Sequence, residues 1–183
     1  MIEVEVKARA PEDIEERIAA LGAALQAVEN HQDLYFASPL RDFKLSDEAL
    51  RIRIKEEGAR LTYKGPKLDL TTKSRLEMTV KIDDPVQMVQ ILAALGFVLS
   101  ARVRKQRRKY SWEGVIIALD NVEGLGYFVE AEAQGEGGYE EQKSRVMSTM
   151  SKLGLHESIR SSYLELLEEK KKSNEIEMAR RSH

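Results

Sequence analysis

Apolar and charged residues alternate one by one in several short segments of this 183-residue chain. The opening Ile2-Glu3-Val4-Glu5-Val6-Lys7-Ala8 has the two-residue period of a half-buried strand. Leu50-Arg51-Ile52-Arg53-Ile54-Lys55 repeats it, turns at Glu57-Gly58 and returns as Arg60-Leu61-Thr62-Tyr63-Lys64, which predicts a hairpin closed at Gly65-Pro66. Leu76-Glu77-Met78-Thr79-Val80-Lys81 alternates again, and further strands are expected over 33–36, 98–112, 114–121 and 127–134. Elsewhere the period lengthens. After Pro11 the residues Ile14, Ile18 and Leu21 share one helical face and Gly22 is placed to end the run. Helices are also expected over 85–95 and about 138–153, and a loop over 39–47. Residues 1–167 read as one domain, followed by a charged tail over 168–183 that is either a solvated helical extension or disordered.

The strand-then-helix pattern recurs. Laying residues 2–22 on 76–96 matches Glu3 with Glu77, Val6 with Val80, Lys7 with Lys81, Pro11 with Pro85, and Ala19-Ala20-Leu21-Gly22 with Ala93-Ala94-Leu95-Gly96. A weaker third copy runs from Val129 to Leu153-Gly154. A duplicated strand–helix unit is the expectation, with convergent composition as the alternative.

Composition changes the picture at one point. Charged residues make up 33% of the chain, against roughly 25% in an ordinary globular domain, while 42% is hydrophobic. The 29 Lys and Arg nearly cancel the 31 Asp and Glu, leaving −2, so a nucleic-acid or membrane coat is not expected. Cysteine is absent, which excludes thiolate chemistry and disulfides, and three histidines leave little for a histidine-built metal site. No leader-like segment precedes the first strand and no apolar run approaches the ~18 residues of a membrane span. The expectation is a cytoplasmic protein.

The strands say where the mixed charge points. Residues i, i+2 and i+4 of a strand share a face, which groups Glu3, Glu5 and Lys7; Arg51, Arg53 and Lys55; Lys105 and Arg107; and Glu130 and Glu132. Each strand taken alone reads better as a solvated sheet face. Taken together, acid-rich and base-rich strands on one curled sheet would line its interior, with helices outside. Carboxylates without histidine or cysteine favour Mg²⁺ or Mn²⁺. Lys and Arg opposite them suit an anionic chain bridged by those ions. The residues by themselves reach a polyanion plus a divalent metal.

Glu3-x-Glu5-x-Lys7 resembles the ExExK signature of the CYTH superfamily, the triphosphate tunnel metalloenzymes. The resemblance continues through 32–36, 50–53, 61–67 and 75–77, then 105–110, 119–132 and 162–167. Lys64-Gly65-Pro66-Lys67 and the 122–132 stretch are most similar to the class IV adenylyl cyclase branch. The fold this implies is α+β: a closed antiparallel barrel of about eight strands forming a charged tunnel, with helices packed outside.

Carried over residue by residue, the resemblance implies that Glu3, Glu5, Glu130 and Glu132 bind Mg²⁺ or Mn²⁺, with Asp120 as an additional ligand or water holder. It implies that Lys7, Arg51, Arg53, Lys64, Lys105 and Arg107 hold a triphosphate, and that Lys64, Asp120, Lys105 and Arg107 carry catalysis. Glu77 completes an acidic wall, but Thr79 stands where the family has a further glutamate, which bears on a second metal. Asp33, Tyr35 and Tyr163 lie in matched segments and are read as packing or hydrogen-bonding residues, and His31 as a structural histidine. The implied activities are an adenylyl cyclase, releasing cyclic AMP and pyrophosphate from ATP, or a triphosphatase acting on thiamine triphosphate, inorganic triphosphate or a nucleotide. A non-catalytic polyphosphate- or nucleotide-binding module is the third reading. A triphosphate small molecule is the expected partner, with no nucleic acid or membrane, and the family implies a homodimer.

Overall fold

The architecture follows from which apolar strand faces can be covered. A computed structural model describes residues 2–68, 75–135 and 137–181, without the side chains of residues 2–3 and 179–181; the expected metal ligand Glu3 therefore lies outside the described side chains. In chain order these residues form β1 (Ile2–Glu3), β2 (Glu5–Arg9), α1 (Ile14–Ala20), β3 (Ala24–Ala37), β4 (Ala49–Lys55), β5 (Gly58–Lys67) and β6 (Arg75–Ile82). Then come α2 (Pro85–Ala94), β7 (Val98–Trp112), β8 (Val115–Val122), β9 (Gly126–Ala133), α3 (Tyr139–Lys152) and α4 (Tyr163–Arg181).

All neighbours in the sheet are antiparallel, in the order β1-β6-β5-β4-β3-β7-β8-β9-β2. The strands at the two ends of that order, β1 and β2, are consecutive in the chain and separated only by Val4. Counted as one interrupted strand they give an eight-stranded antiparallel sheet curled into a half-barrel, with four helices.

Two elements exceed their sequence expectations. Strand β3 runs from Ala24, well before residue 33, because β7 pairs along its whole length through a bulge between Leu25 and Ala27 that breaks the alternation. Strand β5 continues past Gly65-Pro66 to Lys67, and the register shift between Lys64 and Lys67 lets a proline stay in a strand it would otherwise interrupt.

The outer faces form the core. Val4, Val6, Val115, Ile117, Leu119 and Val129 pack on Ile14 and Ile18 of α1 and on Val146, Met150 and Leu153 of α3. Leu34, Phe36, Ile52 and Ile82 pack on Leu92 of α2. At roughly 1.5–3 kcal/mol for each fully buried aliphatic side chain, these clusters fix which strand face turns outward. The three helices following β2, β6 and β9 end alike. Leu21, Leu95 and Leu153 are the C-cap residues, and Gly22, Gly96 and Gly154 follow with φ of 75°, 88° and 71°. In each case the glycine and the next residue donate back into the final turn, as Gly96 N–H does to Ala93 O at 2.9 Å and Phe97 N–H to Leu92 O at 2.9 Å.

Candidate active site

With the apolar residues turned out, the alternate positions of the same strands turn in. Arg51, Arg53 and Lys55 of β4, Arg60, Thr62 and Lys64 of β5, and Lys105 and Arg107 of β7 line one cavity of about 440 Å³. Glu5 of β2 and Glu130 and Glu132 of β9 line it too, as do Arg75, Glu77 and Thr79 of β6 and Asp33 and Tyr35 of β3. Phe43, Lys44, Asp47 and Glu48 of the β3–β4 connection, Ala49 at the start of β4, and Ser162 to Glu165 with Glu168 at the start of α4 complete the lining.

The basic side is built around two buried carboxylates. Arg53 donates to Asp33 through Nε and Nη2, both at 2.7 Å, and Arg51 Nη1 lies 3.6 Å away. Burial pushes the Asp33 carboxyl upward, but Arg53 and then Arg51 outweigh it and hold it far below the usual carboxylate range. Arg51 Nε is buried with no hydrogen-bond partner among the described residues. A buried donor in that state is uncommon and is suited to an acceptor brought by a ligand. Lys64 pairs with Glu77 across β5 and β6. Burial, then Arg51, lowers the Lys64 ammonium to about 8, against the opposing pull of Glu77 and Glu5.

Asp120 is the second node. Its Oδ1 accepts from Arg107 Nε at 2.6 Å, and its Oδ2 from Arg107 Nη2 at 2.6 Å, Lys105 Nζ at 2.8 Å and the Tyr163 hydroxyl at 2.8 Å. Arg107 also pairs with Glu130, and Lys105 lies 4.0 Å from it. Burial and then Arg107 bring Lys105 down to about 8. Asp120 is fully buried and stands behind the two cations that line the cavity.

The acidic side lies on β2 and β9, where Glu5 and Glu132 are directly opposite in register. Like charges at such a pair repel, and the Glu132 carboxyl is raised, first by burial and then by Glu5. Among the described residues no three histidine or carboxylate groups converge on one point. Hard divalent ions commonly take one or two carboxylates and complete their shell with phosphate and water oxygens. The facing pair Glu5 and Glu132 supplies that donor set, so the residues present fit Mg²⁺ or Mn²⁺.

The cavity thus brings together Glu5, Arg51, Arg53, Lys64, Glu77, Lys105, Arg107, Glu130 and Glu132. Lys7 is not among its lining; its ammonium is buried and donates to the carbonyl of Ser161. Thr79 lines the cavity and exchanges a 3.0 Å hydrogen bond with Thr62, so a hydroxyl pair occupies the place of the family's glutamate. His31 Nε2 lies 2.6 Å from Glu29, and burial followed by Arg53 and Lys105 lowers it to about 3, leaving a neutral imidazole. Phe43, Asp47, Glu48, Leu164 and Glu165 were not expected in the lining. They sit in a loop and at a helix start, where no two-residue period marks the inward face. Arg60 and Thr62 were findable, since they share the face of Lys64.

Residues 1–163 match the CYTH domain. The chain is 39% identical over 172 residues to the Methanocaldococcus jannaschii protein named "Putative adenylate cyclase", covering 91% of this chain and 98% of that one. A solved Pyrococcus horikoshii protein superposes with a TM-score of 0.85 at 43% identity, over 92% of this chain and 99% of that one. A Hippeastrum protein, described as an adenylyl cyclase by name with a dominant triphosphatase activity, shares the fold at 23% identity and a TM-score of 0.66, over 89% of this chain and 92% of that one. Among the described residues no helix is long and apolar enough to cross a membrane. By its matched domain and its curled sheet with inward charge, the chain belongs to the CYTH family.

Proposed function

We propose that this chain is a metal-dependent enzyme acting on a triphosphate, with a reaction of the adenylate cyclase type that converts ATP to cyclic AMP and pyrophosphate. The observation that carries the reading is a single cavity in which Arg51, Arg53, Lys64, Lys105 and Arg107 stand with Glu5, Glu130 and Glu132. A triphosphate bears its charges in a line, and forked arginine donors and lysine point charges suit its oxygens. Arg51 Nε, which has no partner among the described residues, is a donor suited to a phosphate oxygen. Kinship with the M. jannaschii protein directs the choice of reaction.

In this reading the ribose 3′-hydroxyl gives up its proton to solvent water, its oxygen bonds to the α-phosphorus, the bond from that phosphorus to the α,β-bridging oxygen breaks, and pyrophosphate leaves. Arg51, Arg53 and Lys64 hold the departing phosphates. Lys105 and Arg107, braced by Asp120, face the oxygens on which charge develops, the placement that contributes most in a site shielded from water. Glu5, Glu130 and Glu132, with Glu3, would hold Mg²⁺ or Mn²⁺, which would supply neutralisation of phosphate charge and polarisation of the phosphoryl group. Closure of the curled sheet into a tunnel is part of this reading, supported by the single segment 2–9 that pairs with β6 at one end and β9 at the other. A homodimer is carried over from the family.

A triphosphatase would use the same walls, with water attacking the terminal phosphorus. The activity described for the Hippeastrum protein favours this second reading. The test is to incubate purified protein with ATP, thiamine triphosphate and tripolyphosphate, with Mg²⁺ or Mn²⁺, and to separate the products. Cyclic AMP with pyrophosphate supports the cyclase. Orthophosphate release moves the assignment to a triphosphatase, and binding without product to a polyphosphate- or nucleotide-binding module.

A further inference from the structure

The inward residues of β4, β5 and β6 fall into rows, because partners in register lie directly opposite one another on strands about 4.8 Å apart. One row pairs Lys64 with Glu77, and another sets Arg53 beside Asp33 of β3. The row between them is Arg51, Thr62 and Thr79, with Arg51 opposite Thr62 and Thr62 opposite Thr79. It contains no acid. Its polar groups are Arg51 Nε, buried without an acceptor among the described residues, and two hydroxyls 3.0 Å apart.

Burial decides which hydroxyl donates. Thr62 is 2% exposed, whereas Thr79 is open to the cavity. Two hydroxyls carry two protons and share one hydrogen bond, so one proton is left over. Neither hydroxyl has a further partner among the described residues. Left on Thr62, that proton would be a buried unsatisfied donor, a cost the open Thr79 does not bear. Thr62 therefore donates to Thr79, and Thr79 turns its own O–H to the cavity. We propose that Thr79 is a phosphate-binding residue that donates to the phosphate met by Arg51 Nε, and that Thr62 is the positioning residue that fixes its hydroxyl. This inference rests on the triphosphate reading of the cavity. A carboxylate in this row would repel a phosphate unless a cation stood between them. A hydroxyl meets it directly, while Glu5 and Glu132 on β2 and β9 keep the donor set suited to a divalent ion.

Calorimetric titration with tripolyphosphate and Mg²⁺ tests this. Thr79→Val keeps the shape, removes the hydroxyl and weakens binding by about tenfold, the scale of one hydrogen bond to a charged acceptor. Thr79→Ser keeps the donor and stays within about twofold of wild type. Thr62→Val leaves the Thr79 hydroxyl free to turn away and costs about threefold, and Thr62→Ser restores the loss. The proposal is overturned if Thr79→Val binds tripolyphosphate as tightly as wild type, or if Thr79→Ser loses as much as Thr79→Val. It is also overturned if Thr79→Val lowers Mn²⁺ affinity in phosphate-free solution, since the hydroxyl would then serve the ion. Wild-type affinity in Thr62→Val overturns the role given to Thr62. Should Thr79→Val fail to fold, the double variant Thr62→Val/Thr79→Val decides, because it leaves no buried hydroxyl unpaired: unchanged affinity overturns the proposal. If the wild-type protein does not bind tripolyphosphate at all, the triphosphate reading falls and takes this inference with it.

Discussion

At the scale of single residues, the cavity couples charge to pH in two opposite senses. Lys64 and Lys105 are lowered to about 8, chiefly by burial. Both are cations below that value and lose their charge above it, so kcat/KM for a triphosphate is expected to fall as pH rises through about 8, read from the basic limb of a pH–rate profile. Stability moves the other way. Between about 8 and the ordinary lysine value of 10.5 the unfolded chain binds protons that the folded chain refuses, so these two groups make the fold more stable as pH rises across that window. Denaturant titrations at pH 8 and 10 check the sign. Asp120→Asn should be far more damaging than an exposed substitution: it strips Lys105 and Arg107 of a fully buried counter-charge, at a cost of about 3–5 kcal/mol, seen as a large drop in Tm. Glu5→Gln and Lys64→Ala, by contrast, should abolish turnover with the fold retained, measured by product release alongside circular dichroism.

At the scale of elements, the strands were readable where one face is apolar and the other charged. Leu50 to Lys55 alternates without a break, and both its pairing with β5 and the inward set Arg51, Arg53 and Lys55 follow from that alone. The first half of β3 was not readable, because a bulge and the run Gln26 to Gln32 mix polar residues on both faces. What covers Lys7 was unreadable for a different reason. Alternation tells which way a side chain leaves the strand, but not what covers it, and the covering carbonyl of Ser161 lies 154 positions away in sequence. The helix ends were legible to within a residue or two, since Leu-Gly follows each of the three. That invites a graded test. A Cβ on Gly96 would meet Pro39 at 3.2 Å and must also adopt φ of 88°, whereas one on Gly22 meets nothing and carries only the strain of φ 75°. Gly22→Ala should cost about 1 kcal/mol, and Gly96→Ala clearly more, by urea denaturation.

At the scale of the whole molecule, the near-cancellation of 29 basic by 31 acidic residues conceals a separation in space. Helices α1, α2 and α3 take the apolar faces of the sheet, and the inward faces gather bases on β4, β5 and β7 against acids on β2 and β9. Neither wall is self-sufficient: Glu5 faces Glu132, and Arg51 keeps a donor without an acceptor among the described residues. A triphosphate with its divalent ion complements both at once, and that complementarity is the central claim. The most direct measurement is a crystal structure grown with tripolyphosphate and Mn²⁺, with the manganese located by its anomalous scattering. The account predicts manganese beside Glu5 and Glu132, with the phosphate chain against Arg51, Arg53 and Lys64. Manganese and tripolyphosphate bound away from these residues, with the cavity filled by solvent alone, would contradict it.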